Sequence, residues 1–487
     1  MRRSAGAHRS STFRSCPYPE PSTLMTTVLT FVRSHPLLVA THVVGIVVAL
    51  RVLVTRRAPQ SLMAWLLGLV FAPWVAIPLY FLLGGRKFPR GAKGKQAPLL
   101  APAARAELPG THPAADVPRV LRTEGVPGVR AGSSFQLLGT GEAAYAALLG
   151  AIGAAARSID LTVFILGNDE VGAAIVSALA ARARAGVRVR LLLDAVGSRP
   201  ILPRAEKEVR AAGGEVRSFM PLIHAPVRGR SNLRSHRKIA VFDGQRVFLG
   251  GMNMALEYMG PTPSPRRWRD VACLVGGPVV ADAAQLFAAD WAFAGKETPV
   301  QIAEVPPAAG DGVVQLVPSG PEMATDTFYD ALVTALYAAR RHVACVTPYY
   351  VPDDVVQHAF VLCARRGVRT EMVMPAVSNH LLADKARRGL LPELAEAGVV
   401  FHWFGGMVHG KAMVVDETVA YVGSPNLDMR SFFLNYEDAL LLYSPPEIAA
   451  VRGWIEQLSA ECPATLAPST RRRWLIDDIA RLLAPEL

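Results

Sequence analysis

Two apolar runs, Pro36 to about Val54 and Leu62 to about Gly84, stand near the start of the chain. A helix of about 20 residues spans a hydrocarbon core of about 30 Å, so each run is long enough, or nearly so, to cross a bilayer. The first is the weaker, because Thr41 and His42 interrupt it. The spacing predicts a two-helix transmembrane hairpin over 34–85, with both ends on one side. Arg86, Lys87, Arg90, Lys93 and Lys95 follow the second run and place what comes next in the cytoplasm. Arg56 and Arg57 in the short loop weaken that contrast. Residues 1–33 are polar, basic and Pro/Ser-containing at their start and are expected to be disordered. Residues 86–133 are rich in Pro, Ala and Gly without a sustained period and read as an extended linker.

Beyond the linker the pattern changes to an alternation of helical and strand periods. Gly141 to Ala156 has helical spacing, Ser158 to Ile165 reads as a buried strand, Val171 to Ala185 as a helix ending at Gly186, and Val187 to Leu193 as the next strand. The same rhythm returns at Asp326–Arg341 (helix), His342–Thr347 (strand), Val355–Arg366 (helix ending at Gly367) and Val368–Met374 (strand). Arg184-Ala185-Gly186-Val187-Arg188 and Arg365-Arg366-Gly367-Val368-Arg369 repeat each other. The pattern predicts an α/β fold of two duplicated halves, 134–300 and 301–487, each a mixed sheet flanked by helices. The second half ends on an amphipathic stretch from Arg471 to Leu483, with Ile476, Ile479 and Leu483 at helical spacing.

Within each half lies one copy of a short pattern. His236-Arg237-Lys238 leads through Ile239-Ala240-Val241-Phe242 to Asp243, followed by Gly250-Gly251-Met252-Asn253. His409-Gly410-Lys411 leads through Ala412-Met413-Val414-Val415 to Asp416, followed by Gly423-Ser424-Pro425-Asn426. His409, Lys411, Asp416, Gly423 and Asn426 each follow their counterparts by 173 positions. The segments are strand-like, Asp243-Gly244 is a turn signal, and Arg246 to Leu249 reads as a returning strand. In an extended chain, side chains two apart share a face, so each histidine points the same way as its lysine. A neutral imidazole beside an ammonium suits attack on a phosphodiester: lysine and an asparagine amide hold the non-bridging oxygens, and histidine attacks phosphorus or moves a proton. Two copies supply a nucleophile and a general acid, with no metal or cofactor called for.

These motifs resemble the phospholipase D superfamily and, in detail, the membrane-bound bacterial cardiolipin synthases. The continuations Glu257-Tyr258, Trp268-Arg269-Asp270, Asn426-Leu427-Asp428-Met429-Arg430-Ser431 and Leu434-Asn435-Tyr436-Glu437 carry the finer likeness. The resemblance implies a candidate catalytic set of His236, Lys238, Asp243, His409, Lys411 and Asp416, within which Asp243 and Asp416 are expected to anchor the hairpin turns. Asn253 and Asn426 join the lysines in binding phosphate. A carboxylate some thirty residues after each histidine, Asp270 and Glu437, is expected to hold its tautomer. The implied reaction joins two phosphatidylglycerols into cardiolipin through a phosphohistidine and releases glycerol, at the bacterial inner membrane. The alternatives are hydrolysis to phosphatidate, if water reaches the site, and another donor or acceptor such as phosphatidylethanolamine. Gly410, inside the second motif, is expected to loosen its strand, and Asn379 stands where relatives often carry an acid.

Charge and cysteine content narrow the field further. The formal net charge of +12 fits an anionic membrane surface or substrate. It also permits nucleic acid, but a site fixed near lipid argues against that partner. The five cysteines are scattered without a CxxC, which suggests neither a zinc site nor a disulfide framework. Arg228, Arg230, Arg234 and Arg237 crowd the approach to the first motif, either as a phosphate-attracting mouth or as a solvated loop.

Overall fold

The computed structural model describes residues 26, 30, 32–54, 59–83, 106–126, 128–220, 233–462 and 464–465. The chain divides into two compact units, Met1–Gly84 and Gly85–Leu487. In the first, α1 (Pro36–Val54) is a 19-residue helix long and apolar enough to cross a membrane. Two of its polar side chains bond within the helix: Thr41 Oγ1 donates to the Leu37 carbonyl, and His42 Nδ1 bonds that of Leu38. The second apolar run is not one helix. It is split into α2 (Pro59–Phe71) and α3 (Pro73–Leu83), because Pro73 has no N–H to give to the ladder and its ring crowds the preceding turn. Val48, Val52, Leu69, Ala76 and Tyr80 form the small core of this unit, and Trp65 meets Tyr80 edge to face at 5.4 Å.

The expected linker is structured before its end. Residues Asp116–Thr123 form α4, whose buried Val117 and Leu121 join the core beside Leu332 and Leu336. Four apolar positions over two turns were enough for burial despite the Pro- and Gly-rich surroundings. The first strand, β1 (Arg130–Leu138), also starts inside that segment. Arg130 is fixed there by two 3.0 Å bonds to the Asp282 carboxylate.

After β1 the first half runs α5 (Gly141–Ala154), β2 (Ser158–Val163), α6 (Glu170–Arg184), β3 (Arg188–Asp194), α7 (Leu202–Ala211), β4 (Glu215–Phe219), β5 (Ile239–Phe242), β6 (Arg246–Gly250), β7 (Ala272–Gly276) and α8 (Val279–Gly295). The second runs β8 (Gly312–Ser319), α9 (Thr327–Ala338), β9 (His342–Val346), β10 (Tyr350–Val351), α10 (Asp354–Arg365), β11 (Arg369–Pro375), α11 (Leu381–Arg388), α12 (Leu391–Ala397), β12 (Val400–Phe404), β13 (Ala412–Val415), β14 (Val419–Gly423), β15 (Leu427–Asp428), α13 (Met429–Phe433), β16 (Glu437–Leu442), α14 (Pro445–Ala460) and β17 (Ala464–Thr465). Thr140, Asp169 and Asp353 cap α5, α6 and α10 by accepting from backbone N–H groups. Gly186 and Gly367, at φ +86° and +82°, end α6 and α10 in the left-handed region that a side chain would resist, which is the physical content of the repeated Gly-Val-Arg.

The strands form a 15-stranded sheet in the order β17-β12-β11-β9-β13-β14-β16-β8-β1-β7-β6-β5-β2-β3-β4. Read outward from the central antiparallel pair β1–β8, the two halves present their strands in the same connectivity. Within each half, β2–β3–β4 and β9–β11–β12 are parallel, and the motif strands β5 and β13 join them antiparallel. Strand alternation sorts the apolar residues. Ala240 and Phe242 face the cluster under α5 and α6, while Ile239 and Val241 join a cluster with α8, α14 and the strands of the second half. That second cluster joins the two halves. A two-stranded parallel sheet, β10–β15, lies apart from the large one.

Candidate active site

The histidines precede β5 and β13, and each is held by the other half. Ser235 bridges Tyr436, with His236 N donating to the Tyr436 carbonyl at 2.8 Å and Tyr436 N to that of Arg234 at 2.9 Å. Arg269 bridges Val408, with His409 N donating to the Arg269 carbonyl at 2.7 Å. Each bridge sets the residue after it beside the opposite histidine. The carboxylates therefore cross: His236 Nδ1 lies 3.0 Å from Glu437 Oε2, and His409 Nδ1 2.6 Å from Asp270 Oδ2. The expectation of a carboxylate serving the histidine that precedes it in sequence is corrected. Asp270 belongs to His409, because parallel bridging between the halves brings strand starts, not sequence neighbours, together.

An ionised carboxylate only accepts, so Nδ1 carries the proton in each ring and Nε2 presents a lone pair. For His236 the Ser424 carbonyl, 3.2 Å from Nδ1, enforces the same tautomer. Burial outweighs the neighbouring carboxylates and pushes His236 down to about 4 and His409 down to about 3. Burial would raise Glu437, but His236, Lys238 and the Ser424 hydroxyl hold it at about 2. Asp270 is likewise held low by His409 and Lys411 against its burial. The resting arrangement is two neutral imidazoles, each oriented by an ionised carboxylate.

Lys238 and Lys411 are fully buried beneath the histidines. Lys238 Nζ donates to the His236 carbonyl at 2.5 Å; Lys411 Nζ donates to the His409 carbonyl and sits 2.7 and 3.0 Å from the two ring nitrogens. Burial pushes them down to about 8 and about 7, against the pull of Glu437 on the first and Asp270 on the second. Gly251 makes room for this packing. A Cβ there would sit 2.8 Å from Asp270 Oδ1 and 2.9 Å from Lys411 Cδ. Its counterpart Ser424 instead gives its hydroxyl to Glu437.

His236, His409, Asn253 and Asn426 line one pocket, open to solvent, of about 220 Å³. Asn253 Oδ1 accepts from Ile165 N at 3.2 Å, which fixes that amide. Asn426 is 6 % exposed; its side chain bonds Asp428, and its Oδ1 has no protein partner. Phe164 packs on His236 with ring centres 5.2 Å apart; Tyr258 and Trp268 pack on His409 at 5.0 and 5.8 Å. Asp428 lines the pocket, caps α13 by accepting from Ser431 N at 2.7 Å, and is raised to about 6 by burial.

Asp243 and Asp416 stand apart from the pocket. Each occupies a left-handed turn, φ +55° and +52°, at the far end of its strand. Asp243 accepts from Ala156, Arg157 and Ser158 N, and Asp416 from Arg340, Arg341 and His342 N, so both clamp the start of the neighbouring strand. Grouping them with the catalytic residues is corrected on that geometry: their carboxylates are occupied by backbone. Gly410 is also reinterpreted. A Cβ there would lie 2.5 Å from the Trp454 indole, so glycine admits α14 against the strand rather than loosening it. Arg237 is no mouth residue. It points away from the histidine face and is wholly buried, bonded to Asp290 (2.7 and 3.0 Å), Glu322 (2.6 Å) and the carbonyls of Glu437 and Ser319. Arg234 does line the pocket; Arg228, Arg230 and the 471–483 stretch lie outside the described residues.

Sequence reasoning missed Phe164, Tyr349 and His380 in the lining. His380 caps α11 through Ala383 N, and Tyr349 donates to Asn379 Oδ1 at 2.6 Å. Asn379 was the one signal pointing to that wall.

The sequence profile of the family described as "Cardiolipin synthase, PLD-like domain" matches residues 148–291 and 332–459. The chain belongs to the cardiolipin synthase, PLD-like family. Among its relatives, "Cardiolipin synthase A" of Pseudomonas putida (strain W619) is 32% identical over 465 residues, covering 92% of this chain and 97% of that one. "Cardiolipin synthase" of Geobacillus thermodenitrificans (strain NG80-2) is 31% identical over 453 residues, covering 89% and 90%. The fold is shared with the phosphatidylserine synthase of Haemophilus influenzae Rd KW20, at a TM-score of 0.59 and 14% identity over 77% of this chain and all of that one. Both segments of this cardiolipin synthase-family chain that match the profile carry one histidine-lysine pair, and the crossed carboxylates join them.

Proposed function

We propose that this chain is an integral membrane phosphatidyltransferase that joins two phosphatidylglycerols into cardiolipin and glycerol. The observation that carries the reading is the pair of crossed histidine–carboxylate contacts facing one pocket above two buried lysines. Nε2 of one neutral histidine attacks phosphorus. The P–O bond to glycerol breaks as the second histidine, protonated, gives its proton to the departing oxygen. That histidine, now neutral, takes the proton from the hydroxyl of a second phosphatidylglycerol. The hydroxyl oxygen displaces the phosphohistidine nitrogen, and both rings return to their starting forms. The phosphate anion, seated between rings that are otherwise neutral, raises the proton affinity of the one that serves as acid. Lys238, Lys411, Asn253 and Asn426 balance the charge that develops on the non-bridging oxygens. The aromatic walls around the rings favour an alcohol over water as acceptor.

The two apolar runs form a membrane hairpin, α1 against α2–α3 taken together, and the catalytic unit lies in the cytoplasm of a bacterial cell. Support comes from the length of α1 and from the cluster Arg86, Lys87, Arg90, Lys93 and Lys95. The two matching halves arose from one repeated unit, which the common strand order supports. Detergent-solubilised protein given headgroup-labelled phosphatidylglycerol, with products read by mass, tests the reaction. Cardiolipin with one released glycerol is expected. Phosphatidate with glycerol would make the protein a hydrolase, and cardiolipin formed only when phosphatidylethanolamine is added would change the donor.

A further inference from the structure

Large apolar side chains left exposed between residues 106 and 465 are few among the described residues, and most share one location. Val196 follows the end of β3, Leu256 precedes the pocket residue Tyr258, and Val355 follows the pocket residue Val351. Val377, Leu381 and Leu382 follow the end of β11 and alternate with Asn379, His380 and Ala383 of the pocket wall. Val377 is 75 % exposed and Leu381 66 %. These positions all lie at the end of the sheet where the parallel strands terminate and the pocket opens. Two stand elsewhere: Val300, 71 % exposed, follows α8, and Tyr337, on α9 before β9, is exposed at the opposite end of the sheet.

The leucines are held outward by a fixed scaffold. Arg387 pairs with Asp384 at 3.0 Å and donates to the Ala376 carbonyl at 2.9 Å, and Ser378 N donates to Asp384 Oδ2 at 2.9 Å. The segment is therefore pinned at both ends while its apolar side chains face out. Along α11, Leu381, Lys385 and Arg388 are spaced i, i+4 and i+7 and share one face. That face is apolar at the pocket mouth and basic one to two turns later. Such an order matches a bilayer boundary, with leucines among acyl chains and cations at the level of the phosphates.

We infer that the Val377–Arg388 segment is a lipid-docking rim, which seats the pocket mouth on the surface of an anionic phospholipid leaflet. The inference rests on reading the pocket as a phospholipid site. Its partner is lipid rather than protein because the apolar patch is continuous with that pocket and carries positive charge at its border. A docked rim lets a headgroup enter the pocket while its acyl chains stay in the leaflet.

Two measurements test the rim. Full-length Leu381→Trp and Tyr337→Trp, each reconstituted in phosphatidylglycerol–phosphatidylcholine nanodiscs, are compared with the parent for quenching of tryptophan emission by acyl-brominated lipid. The added tryptophan at 381 is expected to be quenched at least twofold and that at 337 to be unaffected. Equal quenching at the two positions, or none at 381, overturns the proposal. A Val377→Ser/Leu381→Ser/Leu382→Ser variant is expected to raise KM for vesicle phosphatidylglycerol about tenfold while kcat/KM for a monomeric short-chain phosphatidylglycerol stays unchanged. Equal loss on both substrates overturns it. A parent protein that turns over neither substrate would defeat the proposed reaction alone, because the quenching result does not depend on turnover.

Discussion

At the residue scale the decisive feature is that each histidine takes its carboxylate from the other half. Glu437→Gln is expected to impair the step performed by His236, and Asp270→Asn that performed by His409, each by roughly 10²–10⁴-fold in kcat. Phosphohistidine trapping checks the pairing. The carboxylate whose substitution prevents phosphoenzyme formation must pair with the histidine that carries the phosphate, and a same-half match would refute the crossed arrangement. A second prediction concerns protons. Both rings titrate in the folded chain at about 4 and about 3, below the ordinary 6.5 of the unfolded chain. Between those values the unfolded state binds more protons, so stability falls as pH drops through 6.5, the His236 part levelling near 4 and the His409 part near 3. Each ring contributes up to about 1.4 kcal/mol per pH unit in that window. Melting temperatures from pH 7 to pH 4 should therefore decline less steeply in a His236→Asn/His409→Asn variant than in the parent.

At the scale of the element, the segments that lead into β5 and β13 do two jobs with alternate residues. The face carrying His236 and Lys238 belongs to the pocket, while Arg237 on the other face ties the strand to Asp290 of α8 and Glu322 after β8. Arg237→Met would strand two buried carboxylates, and a loss of about 3–5 kcal/mol is expected in chemical denaturation. The second copy replaces that ionic tie with packing. Gly410→Ala would push a methyl into Trp454 and is expected to destabilise by about 1–3 kcal/mol, with Trp454→Phe recovering part of the loss because the smaller ring vacates the clash. Denaturation midpoints of the single and double variants check both the size and the coupling.

At the scale of the whole molecule, the sheet passes from one half to the other through β1–β8, and a single apolar cluster lies under both motif strands. Neither half can close the site alone, so co-expressed fragments divided near residue 305 are expected to show activity only as a complex. Size-exclusion chromatography with a turnover assay on each separated fragment checks this. A C-terminal fluorescent-protein fusion should report a cytoplasmic catalytic unit, and a fusion active only in the periplasm would reverse the orientation.

The sequence by itself determined the repeated chemistry. Histidine, lysine, aspartate and asparagine recur at one spacing, and the alternation of strand and helix periods marks Ser158–Val163, Glu170–Arg184 and their second-half counterparts to within a few residues. Those features are local, because side-chain period and turn chemistry are written in neighbouring residues. What the tertiary structure alone decided was non-local. Asp270 serves His409 because Arg269 bridges Val408; Arg237 is buried because Asp290 and Glu322 reach it from distant elements; Gly410 matters because α14 brings Trp454 to it. The break at Pro73 and the helix at Asp116–Thr123 belong to the same lesson. In the first, one residue without an N–H divided an apolar run; in the second, a few apolar side chains found a core that no local pattern announces.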